Sequence, residues 1–169
     1  ETILLYDLTN TFFEGTGKYN GKAHFGVSKE KLSDCPLVTL GLVLDADGFP
    51  KKSEVFDGNV SEPGTLAGII NSLSYPDVLR RPLIVVDAGL ATEANLLWLR
   101  DHRYDYIVVS RKKADLPQGL EMATVREDSQ RLIRVAMISN QDTQEVELYC
   151  HSTAKEVKEE GIKNRFEGR

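Results

Sequence analysis

Four consecutive apolar residues, Leu83-Ile84-Val85-Val86, stop at Asp87-Ala88-Gly89. The run is far short of the roughly 20 residues that a membrane span needs. Its lack of polar alternation predicts a strand buried on both faces of a parallel sheet. Parallel strands require long, usually helical, crossovers, and helix signals flank this run on both sides. Ser61-Glu62-Pro63 sets a cap, an acid and a proline in helix-starting order, predicting a helix over 61–73. Thr92 caps a second helix that ends around His102, with Leu96, Leu97 and Leu99 on an apolar face beside Trp98. Residues 106–109 are the next strand.

Upstream, residues 2–6 form a β-prone run ending at Asp7, and Thr9, Asn10 and Thr11 then supply turn chemistry. Residues 13–35 hold Gly15, Gly17, Gly21 and Gly26 without periodicity and are expected to be a long loop. Residues 37–44 and 50–56, joined by Asp45-Ala46-Asp47-Gly48, predict a β-hairpin. Strand, hairpin, helix, strand, helix, strand is the order of an α/β domain with a mixed sheet flanked by helices. After Arg111 the texture changes. Residues 121–127, 131–138 and 145–150 predict a meander with one solvated face, and from Thr153 the chain is charged and helix-prone. The division expected is a core over 1–113, a β-rich insertion over 114–152 and a truncated charged helix over 153–169.

The composition, with 169 residues, 41% hydrophobic and 28% charged, is that of a globular chain. Cys35 and Cys150 lie in no ligand-spaced pair, and His24, His102 and His151 show no metal-ligand spacing, so a reduced, cytoplasmic setting without zinc is expected. The net charge of −5 opposes nucleic-acid binding in bulk. The basic residues are nonetheless clustered: Lys18, Lys22, Lys29 and Lys31 in the long loop, and Arg111, Lys112 and Lys113 after the strand at 106–109. These seven are the candidate phosphate contacts.

Asp7 and Asp87 share one context, each following a hydrophobic run. If their strands are parallel neighbours, both carboxylates emerge together at one sheet edge, where hard oxygen ligands suit magnesium. An Asp in this position also caps turns, and pattern alone leaves both readings open. Gly21-Lys22-Ala23 lacks the glycine and the hydroxyl residue that a phosphate-binding P-loop requires. The opening Leu4-Leu5-Tyr6-Asp7-Leu8-Thr9 also resembles the haloacid-dehalogenase-like phosphatases. There Asp7 would be the nucleophile, although Thr9 stands in place of the usual second Asp.

The segments Tyr6-Asp7-Leu8-Thr9-Asn10-Thr11, Gly26-Val27-Ser28-Lys29, Leu40-Gly41-Leu42-Val43-Leu44-Asp45, Gly48-Phe49-Pro50, Glu54-Val55-Phe56-Asp57-Gly58-Asn59 and Val86-Asp87-Ala88-Gly89-Leu90 resemble, in order and spacing, insertion-sequence transposases. These have a DDE-type, ribonuclease-H-like catalytic domain. The resemblance implies adjacent first and fourth strands and Asp7 and Asp87 as two of three catalytic, metal-binding carboxylates. Two Mg²⁺ or Mn²⁺ ions, DNA as partner through element ends and target, and self-association on that DNA are implied with them. It places the third acid, a Glu, on a later helix after further sequence that this chain lacks, so that Glu156, Glu159 and Glu160 are not it, and implies a bacterial, nucleoid-associated protein. A non-catalytic module that binds DNA or a partner subunit is the alternative.

Overall fold

The computed structural model of the chain describes residues 2–26, 34–75, 81–110, 119–128, 131–141 and 143–167. The chain divides into two compact units, Glu1–Arg111 and Lys112–Arg169.

The first unit is built on a five-stranded sheet of β1 (Ile3–Phe12), β2 (Leu37–Asp45), β3 (Pro50–Asp57), β4 (Leu83–Val86) and β5 (Tyr106–Val108), in the order β3-β2-β1-β4-β5. The hairpin strands pair antiparallel, whereas β4 is parallel to both β1 and β5. A short 3-10 turn (Glu62–Thr65) leads into α1 (Leu66–Ser72), which connects the β3 side to β4, and α2 (Glu93–Asp101) connects β4 to β5. Both steps, from β1 to β4 and from β4 to β5, move the same way across the sheet. Crossovers of one hand then lay both helices on one face. The core accordingly joins Leu4, Tyr6 and Leu8 of β1, Val43 of β2, Ile84 and Val86 of β4, Leu66, Ile69 and Ile70 of α1, and Leu99 of α2.

This arrangement corrects the expectation that residues 83–86 are buried on both faces. Ile84 and Val86 are buried, but Leu83 and Val85 are only half-buried, because both helices cover the other side. The same open face shows Leu5 at 41% exposure and Ile107 at 52%. The long β1 is a second correction. Thr9-Asn10-Thr11 is strand rather than turn, paired without a break through Phe12↔Leu37. The β-branched threonines suit a pleated surface, and Asn10 Nδ2 donates to Thr39 Oγ1 across the pair at 3.0 Å. At the first helix, Ser61 makes no side-chain cap and the first turn is 3-10. Thr92, by contrast, caps α2 by accepting from the Asn95 amide at 3.3 Å.

The described part of the loop after β1 is tied down by backbone hydrogen bonds. The Phe13 amide donates to Pro36 O, His24 and Leu37 exchange backbone hydrogen bonds, and the Gly58 amide donates to Lys22 O. Gly58 is essential to that last contact, since a Cβ there would overlap the Leu37 carbonyl.

The second unit holds an antiparallel sheet of β6 (Ala123–Asp128), β7 (Arg131–Ser139) and β8 (Val146–Ser152), in that order, followed directly by α3 (Thr153–Glu167). Its face carrying Met137, Val146 and Leu148 is more than half exposed at each of the three, whereas Ala136, on the opposite face, is buried. The solvated face expected from residues 145–150 is therefore the apolar one among the described residues.

Candidate functional site

Asp7 lies in the middle of β1, between buried Tyr6 and Leu8, so strand alternation sets its side chain on the face opposite the helices. Asp87 is the residue immediately after β4. The β1–β4 ladder runs from Ile3↔Leu83 to Tyr6↔Val86, so Asp7 and Asp87 are the next couple in the same parallel register. Adjacent strands are about 4.8 Å apart, which makes the two acids neighbours despite their distance in sequence. Both are exposed.

The local geometry differs at the two positions. Asp7 Oδ1 accepts from the Leu8 amide at 2.8 Å. Asp87 Oδ1 accepts from the amides of Gly89 at 2.9 Å and Leu90 at 3.2 Å, so the turn after β4 fixes the carboxylate. Oδ2 of Asp87 accepts no hydrogen bond among the described residues, and remains available. A Cβ on Gly89 would stand 3.0 Å from Asp87 Oδ1 and 3.3 Å from Oδ2. The glycine thus leaves open the space that the carboxylate uses. Residue patterning marks Gly89 as the turn after residues 83–86, without a role beside Asp87. Its signal was the Asp-x-Gly spacing, with a turn amide folding back on the acid.

Behind the acids sits a buried polar relay. Tyr6 donates to Thr65 Oγ1 at 2.7 Å, and Thr65 donates to the Glu62 carbonyl at 2.7 Å. Gly41 makes room for it: a Cβ there would come 3.0 Å from the Tyr6 hydroxyl. Burial pushes the Tyr6 phenol up to about 12, with the negative charges of Glu54, Glu62 and Asp7 adding to the rise and the Thr65 hydrogen bond opposing it.

Of the basic candidates, Lys18 and Lys22 are exposed on the loop after β1. Lys29, Lys31, Arg111, Lys112 and Lys113 lie outside the described residues. Among the described residues no three His, Cys, Asp or Glu side chains form a metal-holding group. The glutamates of α3 belong to the second unit, where Glu156 lies 3.3 Å from His151 and Glu159 lies 3.6 Å from Lys155. Trp98 packs against the core and stacks on His102 and Tyr104 at centroid distances of 4.3 and 5.9 Å. Among the described residues no helix is long and apolar enough to cross a membrane.

No protein-family model and no curated protein matches the chain. Among solved structures, the chain is similar to a piggyBac transposase determined by cryo-EM in a synaptic complex with hairpin DNA. The identity is 12% and the TM-score 0.44, over 88% of this chain. The match spans 32% of that transposase's length.

Proposed function

We propose that this chain carries part of the catalytic core of a DDE-type, ribonuclease-H-like DNA transposase, with Asp7 and Asp87 as two of its metal-binding carboxylates. The observation that carries the reading is the parallel β1–β4 register, which sets the two acids at neighbouring positions, Asp7 on the sheet face opposite the helices and Asp87 just past the end of β4. The donor set fits the ion. Magnesium and manganese prefer carboxylate oxygens and retain several waters, so two adjacent carboxylates suffice for a first attachment. Gly89 keeps the space around Asp87 clear. When bound, such ions activate the attacking oxygen and stabilise the leaving oxygen of an in-line displacement at phosphorus.

The chain's own residues orient that chemistry. The Gly89 and Leu90 amides hold one oxygen of Asp87 and leave the other free for a ligand. Pairing of Asp7 with Leu42 of β2 fixes its backbone, so the carboxylate is positioned before DNA arrives. Attack by water cuts the strand, and attack by the freed 3′-hydroxyl on a second phosphodiester joins it to the target. Lys18 and Lys22, with Lys29, Lys31, Arg111, Lys112 and Lys113, supply phosphate contacts that add salt-dependent, sequence-independent affinity. Self-association on the element ends belongs to the same reading. Strand cleavage needs a third acid beside Asp7 and Asp87, and among the described residues none joins the pair.

The test is thermal unfolding with magnesium or manganese added. Either ion is expected to raise the midpoint of the wild type and to leave Asp7→Asn and Asp87→Asn unmoved. A shift that survives in either variant defeats the shared site. Because no third acid joins the pair among the described residues, a non-catalytic DNA-binding module is the second reading. It is favoured if the chain binds DNA equally well with and without divalent ions.

A further inference from the structure

Tyr19 is 93% exposed, which is unusual for an aromatic side chain whose ring gains so much from burial. It is not on a free end of chain. The loop that carries it is cross-tied by the Asn20 amide to Gly17 O, the Ala23 amide to Asn20 O, the Lys22 amide to Asn20 Oδ1 and the Gly58 amide to Lys22 O. The ring is therefore presented on an ordered turn. Lys18 Nζ lies over one face of the ring, 4.9 Å from its centroid, so a base would stack on the other, and exposed Lys22 follows three residues later. Beside the ring is a shallow cavity of about 330 Å³, lined by Phe13, Thr16, Gly17, Lys18, Tyr19 and Asn20. The loop leaves the carboxyl end of β1, and because β4 is parallel to β1 this is the end at which Asp87 emerges.

We infer that Tyr19 is a stacking platform for one unpaired DNA base, with Lys18 and Lys22 contacting the phosphates beside it. An aromatic face next to ammonium groups is the combination that holds single-stranded nucleic acid, because every base offers a π-face and every linkage a negative charge. A base inside a duplex has both faces covered by its neighbours, so only an unpaired or extruded base reaches the ring. The site would thus select DNA that is opened or frayed beyond the carboxyl end of β1. This inference rests on the DNA-acting reading above and adds the form of DNA that is held.

The test uses the full chain and short oligonucleotides, single-stranded or duplex, with aminopurine as the fluorescent base. Stacking on Tyr19 is expected to quench the single-stranded probe. Tyr19→Ala should abolish the quenching and weaken single-strand binding roughly tenfold, as loss of one base–aromatic stack does. Tyr19→Phe should retain both, and duplex affinity should be the same for all three proteins. The exposed position keeps either substitution from disturbing the fold. If Tyr19→Ala binds and quenches like the wild type, the platform is overturned while DNA binding stands. An equal loss on duplex and single strand overturns it as well, since the ring would not be reading an unpaired base. If the wild type binds neither form of DNA, the platform and the DNA-acting reading fall together.

Discussion

At Gly89 one hydrogen atom separates an open carboxylate from a crowded one. A Cβ there would press on Asp87 Oδ1 at 3.0 Å, and the end of the Asp side chain, rather than the backbone, is what would yield. Gly89→Ala should therefore leave the fold intact and turn the carboxylate away from the amides that hold it. The cost is about 1 kcal/mol for a weakened hydrogen bond, and the midpoint shift produced by manganese should shrink several-fold. A full-sized shift in that variant would mean that the orientation of Asp87 does not matter to the ion. Tyr6 gives a second prediction, read through pH. Its folded value of about 12 lies above the ordinary 10.0, so the native state keeps a proton that the unfolded chain gives up. The stability this contributes is fully present below pH 10.0 and is lost as pH rises towards about 12. The loss amounts to a few kcal/mol at most. Tyr6→Phe should lose about 1 kcal/mol at neutral pH with the Thr65 hydrogen bond, and then show a flatter alkaline limb in denaturant titrations. Parallel alkaline limbs for the two proteins would assign the loss to other groups.

The elements show which physical signals a single sequence carries. Strand β4 was legible to the residue, because four apolar side chains ending in Asp-Ala-Gly leave few alternatives. The hairpin β2–β3 was legible from its Asp-Ala-Asp-Gly turn, and the Asp45 carboxylate indeed accepts from the amides of Asp47 and Phe49 at 3.1 and 2.9 Å. The second half of β1 was not. Asparagine favours turns locally and outweighed the strand preference of the two threonines; the facing strand, with Thr39 opposite Asn10, makes the segment extended. Nor was the placement of the helices on one face legible, because strand order is set by long-range pairing rather than by local pattern. That order decides the site. Residue pattern shows Asp7 and Asp87 one at a time as acids beside apolar runs; the adjacency of their strands was what the family resemblance implied, and the β1–β4 pairing has it so. Asn95 sits in the first turn of α2. In the fold it is buried and bridges the Pro63 and Leu90 carbonyls at 2.9 and 2.8 Å, tying α2 to both the 3-10 turn and the segment after Asp87.

Across the whole molecule, the two units differ in how much core each has. Leu4, Tyr6, Leu8, Val43, Leu66, Ile69, Ile70, Ile84, Val86, Leu90, Leu99 and Tyr104 form one buried cluster, all within the first unit. In the second, Ala136 is the buried hydrophobic residue among those described, and Met137, Val146, Leu148 and Val157 are more than half exposed. Burial contributes about 25 cal/mol per Å² of apolar surface, and small units with little buried surface are marginal. The second unit should therefore unfold first. Unfolding of the chain should not be two-state, and in hydrogen exchange the amides of β6, β7 and β8 should lose protection at lower denaturant than those of β1, β2 and β4. The ion distinguishes the units further. A ligand that binds only the folded form stabilises it by RT ln(1 + [L]/Kd), and both proposed carboxylates belong to the first unit. Manganese should raise protection in β1 and β4 and leave the second sheet unchanged, and Asp7→Asn should remove that rise without altering the metal-free profile of β6, β7 and β8. Uniform protection of both sheets by the ion would show that the units unfold as one, or that the ion binds elsewhere than at Asp7 and Asp87.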